Sequence, residues 1–165
     1  MEEKIALAAT AIVLMAIAFY GATTGFDVMS NTLAPWYDPV VKLDEVALAE
    51  WSNENIPHNT LFAGDLFACE MLTATARAIC TVGGAWELAD NANTRFFENE
   101  KAFTANSSKE SWEIFKKYRA TYVLVHPRQA FYGYGYKQPH NENFEEKKYF
   151  ELVKQIGQAK LYQVL

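Results

Sequence analysis

Three features of the sequence could do chemistry, and each follows a stretch that we predict to be a strand. Asp65 comes after the first strand, the pair Gly83-Gly84 after the second, and His126 after the third. In open parallel sheets, ligands bind beyond the carboxyl ends of the strands. We therefore predict a ligand site at that edge, formed by a carboxylate, an imidazole and a glycine turn.

Each of these residues also has a structural interpretation. Asp65 is placed to cap the helix that follows it, because aspartate accepts hydrogen bonds from the amides of a first turn. Gly83-Gly84 lacks the spacing of a dinucleotide-binding loop and is typical of a plain turn rather than a phosphate cradle. His126 precedes Pro127. It either satisfies loop backbone groups or takes part in a ligand or catalytic site.

The sequence does not indicate an enzyme that works alone. His58, His126 and His140 lack the helical spacing of a metal pair, and no Ser-His-Asp, Cys-His or CxxC pattern is present. One carboxylate and one imidazole make a poor site for a hard cation, which prefers several oxygen ligands. We expect no cofactor, no metal and no catalytic residue. A free-standing enzyme that uses Asp65 and His126 is the weakest of three hypotheses.

A short aromatic segment is the candidate for a carbohydrate contact. Residues 131–136 read Phe-Tyr-Gly-Tyr-Gly-Tyr, which places Tyr132, Tyr134 and Tyr136 at alternate positions. Their rings could stack on the C–H faces of a sugar. The alternative is a loop that folds over the sheet, or packs on a neighbouring subunit or on lipid headgroups.

One glycosylation sequon is present, Asn106-Ser-Ser108. Asn106 is a candidate for N-glycosylation if the domain is exported. Alternatively, this stretch is a helix start, because Ser107 with Glu110 three residues later forms a capping-box pattern.

Residues 1–26 form an element of their own. No charge falls between Lys4 and Asp27, and residues 5–22 are almost wholly apolar. A helix over residues 5–26 would span about 33 Å at 1.5 Å per residue, enough for the hydrocarbon layer of about 30 Å. We predict a membrane-spanning helix, with a cleaved signal peptide or a buried soluble helix as alternatives. The single basic flank at Lys4 favours a cytoplasmic N-terminus and an extracytoplasmic C-terminal domain.

Residues 27–42 are predicted to be a linker, and residues 43–165 an α/β domain. Helical spacing and cap signals predict helices over 43–53, 66–77, 107–119 and 144–156, with Trp112, Phe115 and Tyr118 sharing one face. Apolar runs predict strands over 60–65, 78–82, 121–125 and 159–165, and residues 85–106 are expected to be irregular. The alternation implies a parallel-sheet sandwich of about four strands, covered on both faces.

Composition limits the classes of function further. The chain has 165 residues, 50% of them hydrophobic and 15% aromatic, which excludes a disordered or low-complexity chain. Lys and Arg number 15 and Asp and Glu 20, so the net charge is −5. Because nucleic acid is bound by clustered cations, it is not expected as a partner.

The two cysteines fall in a predicted helix and in the strand after it. The helical rise from Cys69 to residue 77 is about 12 Å, whereas a disulfide needs Cα atoms within about 7 Å. We expect Cys69 and Cys80 to be free buried thiols, with a disulfide as the alternative.

The order of these signals resembles a known family. Trp51 lies in the first helix of the domain, followed by Asn55-Ile-Pro-His-Asn-Thr60, a strand that ends at Asp65, and a helix that ends in Thr75-Ala-Arg77. Later comes Ile114-Phe-Lys-Lys-Tyr-Arg-Ala-Thr-Tyr-Val-Leu-Val125. Residues 43–165 thereby resemble the extracytoplasmic C-terminal domains of polytopic, lipid-phosphosugar-dependent membrane glycosyltransferases. This superfamily includes the catalytic subunits of oligosaccharyltransferases.

The chain departs from that family in two respects. In oligosaccharyltransferases the strand ends in Trp-Trp-Asp-Tyr-Gly, which helps to recognise the acceptor sequon, whereas residues 63–67 here are Ala-Gly-Asp-Leu-Phe. Such enzymes carry catalytic acidic residues in loops between membrane helices, and this chain is predicted to have one span.

The resemblance therefore implies a non-catalytic domain or accessory subunit of a membrane glycosyltransferase system that binds a partner or an acceptor. The expected partners are membrane lipid through residues 5–22, another membrane protein, and carbohydrate. The alternative is a membrane-anchored structural or interaction protein of the cell surface.

Overall fold

The computed structural model describes residues 12–24, 40–83, 91–127 and 139–165. The chain divides into two compact units, Met1–Val40 and Val41–Leu165. In the first unit, residues 12–24 form helix α1. Among the described residues, no helix is both long and apolar enough to cross a membrane. The beginning of the predicted span lies outside these residues.

The second unit contains four α-helices in its described part. They are α2 (Leu43–Asn55), α3 (Leu66–Ala76), α4 (Ala92–Thr104) and α5 (Ser108–Lys117), and a 3-10 helix (Asn141–Glu145) follows. Local signals set the boundaries of α3 and α5: Asp65 and Ser107 accept amide hydrogen bonds at their starts, and α3 ends at Arg77 in the left-handed conformation.

Five strands form one mixed sheet. They are β1 (Leu61–Ala63), β2 (Ile79–Cys80), β3 (Tyr122–Val125), β4 (Phe150–Ile156) and β5 (Ala159–Val164), in the spatial order β2-β1-β3-β5-β4. The pairs β1–β2 and β1–β3 are parallel, as predicted. The pairs β3–β5 and β4–β5 are antiparallel, so the prediction of a purely parallel sheet of about four strands is wrong.

The predicted helix over 144–156 is the cause of that error. The structure has the 3-10 helix up to Glu145 and then β4, which forms a hairpin with β5. Ile156 pairs with Ala159, so Gly157 and Gln158 make a two-residue turn in which Gly157 has φ +56°. Hairpin turns of this length need a positive φ, which glycine supplies without strain. Gly157 therefore ends a strand rather than a helix.

A second prediction is also wrong. Residues 85–106 were expected to be irregular, but Ala92–Thr104 form helix α4. Its inward positions are Asn99, Ala102 and Phe103, all buried. Only two of these are apolar, so the pattern lacks the periodic apolar face that marks most helices.

Helices cover both faces of the sheet, as predicted, and the side chains of each strand alternate between two cores. Val123 and Val125 belong to a core that includes residues of α4 and α5, whereas Leu124 belongs to a core that includes residues of α2 and α3. On β5, Tyr162 and Val164 join the first core and Ala159 and Leu161 the second. This alternation is the two-residue period of a strand buried on both faces.

Candidate functional site

Four strands end at one edge of the sheet. β1, β2 and β3 are mutually parallel, and β4 runs in their direction because it is separated from β3 by the antiparallel β5. Asp65, Gly83 and His126 follow the ends of β1, β2 and β3. The predicted site residues thus lie at the carboxyl edge, but they fall into separate groups.

Asp65 has the capping function that its position indicated. Its Oδ1 accepts a hydrogen bond from the backbone N–H of Ala68 at 2.8 Å, and the residue is 8% exposed. The preceding Gly64 lies against the helix, since a Cβ there would be 3.1 Å from the Cβ of Ala68. The end of β1 is therefore packed around the start of α3.

Asn99 of α4 joins the ends of β1 and β2. Its Nδ2 donates to the carbonyl oxygen of Gly64 at 2.8 Å, and its Oδ1 accepts from the hydroxyl of Thr81 at 2.8 Å. Both Asn99 and Thr81 are buried. Asn99 was not predicted from the sequence, although its spacing to Ala102 and Phe103 is that of one helix face.

Gly83 belongs to a turn that packs on α3. It has φ +94°, and a Cβ there would lie 3.1 Å from Oε1 of Glu70 and 3.3 Å from Cβ of Cys69. Both the backbone conformation and the space therefore favour glycine. Gly84 lies outside the described residues.

His126 lies beside the first turn of α2. Its Nε2 is 3.6 Å from Oδ1 of Asp44, and its Nδ1 is 4.0 Å from Oε2 of Glu45. The side chain of His126 is 5% exposed and that of Glu45 is buried. Among the residues that the structure describes, neither ring nitrogen has a hydrogen-bond partner. The two carboxylates beside His126 come from helix α2, and neither was predicted from the sequence.

Asp44 connects α2 to the turn between β4 and β5. Its Oδ2 accepts a hydrogen bond from the backbone N–H of Gln158 at 2.8 Å. Burial raises the pKa of Asp44, but the hydrogen bond from Gln158 and the charge of His126 outweigh burial, so the pKa lies below its usual value. The ionised form of Asp44 therefore stabilises this contact.

This shift predicts a pH-dependent stability. Because the pKa of Asp44 is lower in the folded chain, its contribution is complete above the unfolded pKa of about 3.9 and is lost as the pH falls through the folded value. We expect Asp44→Asn to lower the free energy of unfolding at neutral pH, and the difference from wild type to shrink below about pH 4. Urea unfolding across the acid range measures it. Glu54→Gln, at an exposed position near the other end of α2, is the control. A difference that stays constant with pH would contradict the assignment.

An open cavity of about 420 Å³ lies at the same edge of the sheet. Its wall is formed by the end of β3, the 3-10 helix and the β4–β5 hairpin, and includes Val125, Pro127, Asn141, Glu145, Lys160 and Tyr162.

Glu145 is the centre of a polar group in this wall. Its Oε1 accepts hydrogen bonds from Nζ of Lys160 and from the hydroxyl of Tyr162. These bonds lower the pKa of Glu145, while burial and the bond to Glu145 raise the pKa of Tyr162. At neutral pH the wall therefore presents a carboxylate, an ammonium and a neutral phenol. None of the three was predicted from the sequence, because they come from the segment wrongly predicted as a helix and from the strand after it.

The other candidate residues are located as follows. Tyr132, Tyr134 and Tyr136 lie outside the described residues. Asn106 is exposed at the start of α5. The predicted cap is confirmed, because the hydroxyl of Ser107 accepts a hydrogen bond from the N–H of Glu110 at 3.3 Å. In the described ranges, no group of three His, Cys, Asp or Glu side chains could hold a metal ion.

Cys69 and Cys80 are free, as expected, but they are not far apart. The Sγ of Cys80 lies 3.5 Å from the carbonyl oxygen of Cys69, and Cys69 is buried. After Arg77 the chain reverses direction. The three extended residues that follow, at about 3.3 Å each, run back along most of the roughly 12 Å by which the helix rises from Cys69. The predicted distance between the two cysteines did not include this reversal. The thiol of Cys69 holds the pKa of Cys80 below its usual value, whereas burial raises the pKa of Cys69.

We therefore expect a mild oxidant such as a diazenedicarboxamide to join the two thiols. The thiolate of Cys80, which is the favoured one, attacks the oxidant and becomes bonded to it. The thiol of Cys69 then attacks the sulfur of Cys80 and displaces the oxidant, which leaves with the two hydrogen atoms. Mass spectrometry should show the loss of two hydrogen atoms and the loss of maleimide labelling under denaturing conditions. Cys69→Ser should abolish the product. Two labelled thiols after oxidation of the folded wild type would contradict the contact.

The described architecture defines a class of fold: an α/β domain whose mixed five-stranded sheet is covered by helices on both faces. No protein-family model matches the sequence, and no curated protein matches it significantly. The comparison with solved structures does find similar chains.

The C-terminal globular domain of an oligosaccharyltransferase from Archaeoglobus fulgidus is similar to this chain with a TM-score of 0.53 and 16% sequence identity. The match covers 76% of this chain and 99% of that one. A second structure of a C-terminal globular oligosaccharyltransferase domain from the same organism gives a TM-score of 0.49 and 22% identity, over 78% of this chain and 99% of that one. At these identities the likeness concerns the fold.

Proposed function

We propose that this chain is a non-catalytic accessory domain of a membrane glycosylation system. In this proposal residues 5–22 lie in the lipid, and residues 43–165 act outside the cytoplasm, where they bind a partner membrane protein or its acceptor. The supporting observation is the fold: the similarity extends over 99% of the C-terminal globular domain of an oligosaccharyltransferase. The order of sequence signals from Trp51 to Val125 points to the same family independently of the coordinates.

The arrangement of the candidate residues supports a binding function over a catalytic one. Asp65 caps α3 through its Oδ1. His126 lies against Asp44 and Glu45 on α2. A glycosyl transfer needs charge stabilisation on the departing phosphate, usually from a metal or from fixed cations beside the reacting atoms. Asp65 and His126 are instead committed to separate packing contacts.

The test is affinity purification of the full chain from its native membranes, followed by identification of the proteins that come with it. We expect a multi-span glycosyltransferase. An alkaline carbonate wash of the same membranes should leave the chain in the pellet. Recovery of only cell-surface proteins unrelated to glycosylation would overturn the proposal in favour of a structural or interaction protein.

The non-catalytic part of the proposal has its own test. The purified chain, supplied with lipid-phosphosugar donors and with magnesium or manganese, should transfer no sugar. Asp65→Asn is the sharpest variant, because asparagine caps a helix about as well as aspartate and so removes the charge without removing the cap. Turnover that Asp65→Asn abolishes, with the unfolding midpoint unchanged, would show that the chain is an enzyme.

A further inference from the structure

Strand β4 forms one edge of the sheet and is the longer of the two edge strands. It has seven residues, whereas β2, at the opposite edge, has two. Among the residues that the structure describes, no strand pairs with the outer side of β4. Leu152 and Val153, in the middle of β4, are exposed. Because an edge strand presents unpaired backbone N–H and C=O groups, the outer side of β4 is a surface on which a further strand can pair.

A bulge in β4 places its two charged residues on the same face of the sheet. Glu151 pairs with Gln163 and Lys154 with Leu161, and the register shifts by one residue between these pairs. Gln163 and Leu161 are two positions apart on β5, so they and their partners lie on one face. It is the face of α2, because Nζ of Lys154 lies over the ring of Trp51. In a regular strand, residues three positions apart would lie on opposite faces.

This arrangement makes β4 complementary to itself. If a second copy of β4 ran antiparallel to the first, a twofold axis perpendicular to the sheet could pass between Leu152 and Val153. Such an axis exchanges the strands but not the faces of the sheet. Glu151 of each copy would then lie opposite Lys154 of the other, on the same face, and two pairs of opposite charge would form. Leu152 of each copy would lie opposite Val153 of the other, so the exposed apolar residues would meet at the centre of the contact.

The charges of β4 also favour a copy over an unrelated strand. Charged residues and bulges on an edge strand protect it from indiscriminate pairing. A strand of another sequence leaves Glu151 or Lys154 without an opposite charge, whereas a second copy supplies one for each. Opposite charges across a pair of strands stabilise the pairing, and like charges destabilise it. The devices that protect this edge from other strands therefore select its own copy.

We propose that β4 is a homodimer interface, through which two copies of the chain join their sheets edge to edge. The dimer is isologous, since the same strand contributes from both sides. Self-association of this kind does not depend on the proposed function. A co-purifying glycosyltransferase neither requires the dimer nor excludes it, so the two proposals fail separately.

Sedimentation equilibrium of the full-length protein in a density-matched detergent tests the proposal. We expect a monomer–dimer equilibrium with a Kd of about 10–100 μM, because an edge-strand contact is at the small end of protein interfaces. Glu151→Lys opposes like charges twice in each dimer and should raise the Kd by at least about tenfold, and so should Lys154→Glu. The double exchange of Glu151→Lys with Lys154→Glu restores both pairs. It should return the Kd to within about threefold of the wild-type value.

Glu113→Lys is the matched control for the charge reversals. Glu113 is exposed on α5 rather than on β4, and its replacement changes the net charge by the same amount as Glu151→Lys. The Kd should be unchanged. Unfolding midpoints show whether each variant is folded.

Cysteine cross-linking in membranes tests the register of the two strands. A chain that carries Glu151→Cys and a differently tagged chain that carries Lys154→Cys are produced together and treated with a mild oxidant. Directly opposite residues have Cβ atoms about 5 Å apart, close to what a disulfide needs, so the two chains should be joined. The two copies of Glu151 lie three positions apart along the strands, about 10 Å. Glu151→Cys alone should therefore give no product.

Four results would overturn the proposal. The folded wild type sediments as a monomer throughout the concentration range. Glu151→Lys dimerises as the wild type does, as it would if residues 5–22 held the copies together. The double exchange is folded but does not restore the dimer. Glu151→Cys joins to itself as readily as to Lys154→Cys.

Discussion

Replacing Phe115 with alanine is expected to lower the free energy of unfolding by about 3–5 kcal/mol. Phe115 is completely buried on the inner face of α5. Its ring lies between those of Phe103, Phe144 and Phe150, with centroids 5.7, 6.2 and 6.3 Å away. Truncation removes a large apolar surface and leaves a cavity among three rigid rings that cannot collapse easily. Urea unfolding at neutral pH measures the loss.

Phe97→Ala is the matched control for this experiment. Phe97 is also a helical phenylalanine in this unit, on α4, but its side chain is 65% exposed. Its truncation should change the stability by no more than about 0.5 kcal/mol. If Phe115→Ala cost less than about 1 kcal/mol, the assignment of Phe115 to the core would be wrong.

The region around Phe115 shows what the sequence could predict. The Ser107 cap fixed the start of α5, and the spacing of Trp112, Phe115 and Tyr118 indicated its inner face. Phe115 is the buried member of that set, while Trp112 and Tyr118 are partly buried. Local signals of the same kind predicted β1, α3 and β3. In each case the information lies within a dozen neighbouring residues.

The hairpin of β4 and β5 could not be predicted in this way. Tyr149, Leu152, Val153 and Ile156 have helical spacing, but Leu152 and Val153 are exposed on β4. The structure is decided by pairing with β5, which is bonded to β3 on one side and to β4 on the other. Tertiary pairing overrides local periodicity here, and Gly157-Gln158 marks the turn only after the pairing is known.

In the candidate site, too, the features set by neighbouring residues were predicted and those formed by distant residues were not. Local signals predicted the cap at Asp65 and the turn at Gly83. The cavity instead combines side chains separated by long stretches of sequence, from Val125 to Tyr162. Asp44 meets Gln158 across 114 positions. A single sequence carries no signal that brings such residues together.

Asn99 is the clearest of these long-range residues, and its replacement by alanine is expected to lower the free energy of unfolding by about 2–4 kcal/mol. The change leaves the carbonyl of Gly64 and the hydroxyl of Thr81 without the partner that Asn99 supplies at 2.8 Å to each. Both groups are buried, so losing this partner is costly. The carbonyl of Gly64 keeps the thiol of Cys69 as a donor at 3.6 Å, but a thiol donates only weakly.

A double-mutant cycle in urea unfolding isolates the contribution of this network. Thr81→Val keeps the shape of the side chain and removes its hydroxyl, so the coupling between Thr81→Val and Asn99→Ala should be about 1 kcal/mol. Asn93→Ala, at an exposed position on the same helix, is the control and should be nearly neutral. A zero coupling, or a loss below about 1 kcal/mol for Asn99→Ala, would mean that α4 is held to the sheet by its apolar contacts alone. The expected result would mean that a buried amide, absent from any apolar pattern, positions the helix that the sequence failed to show.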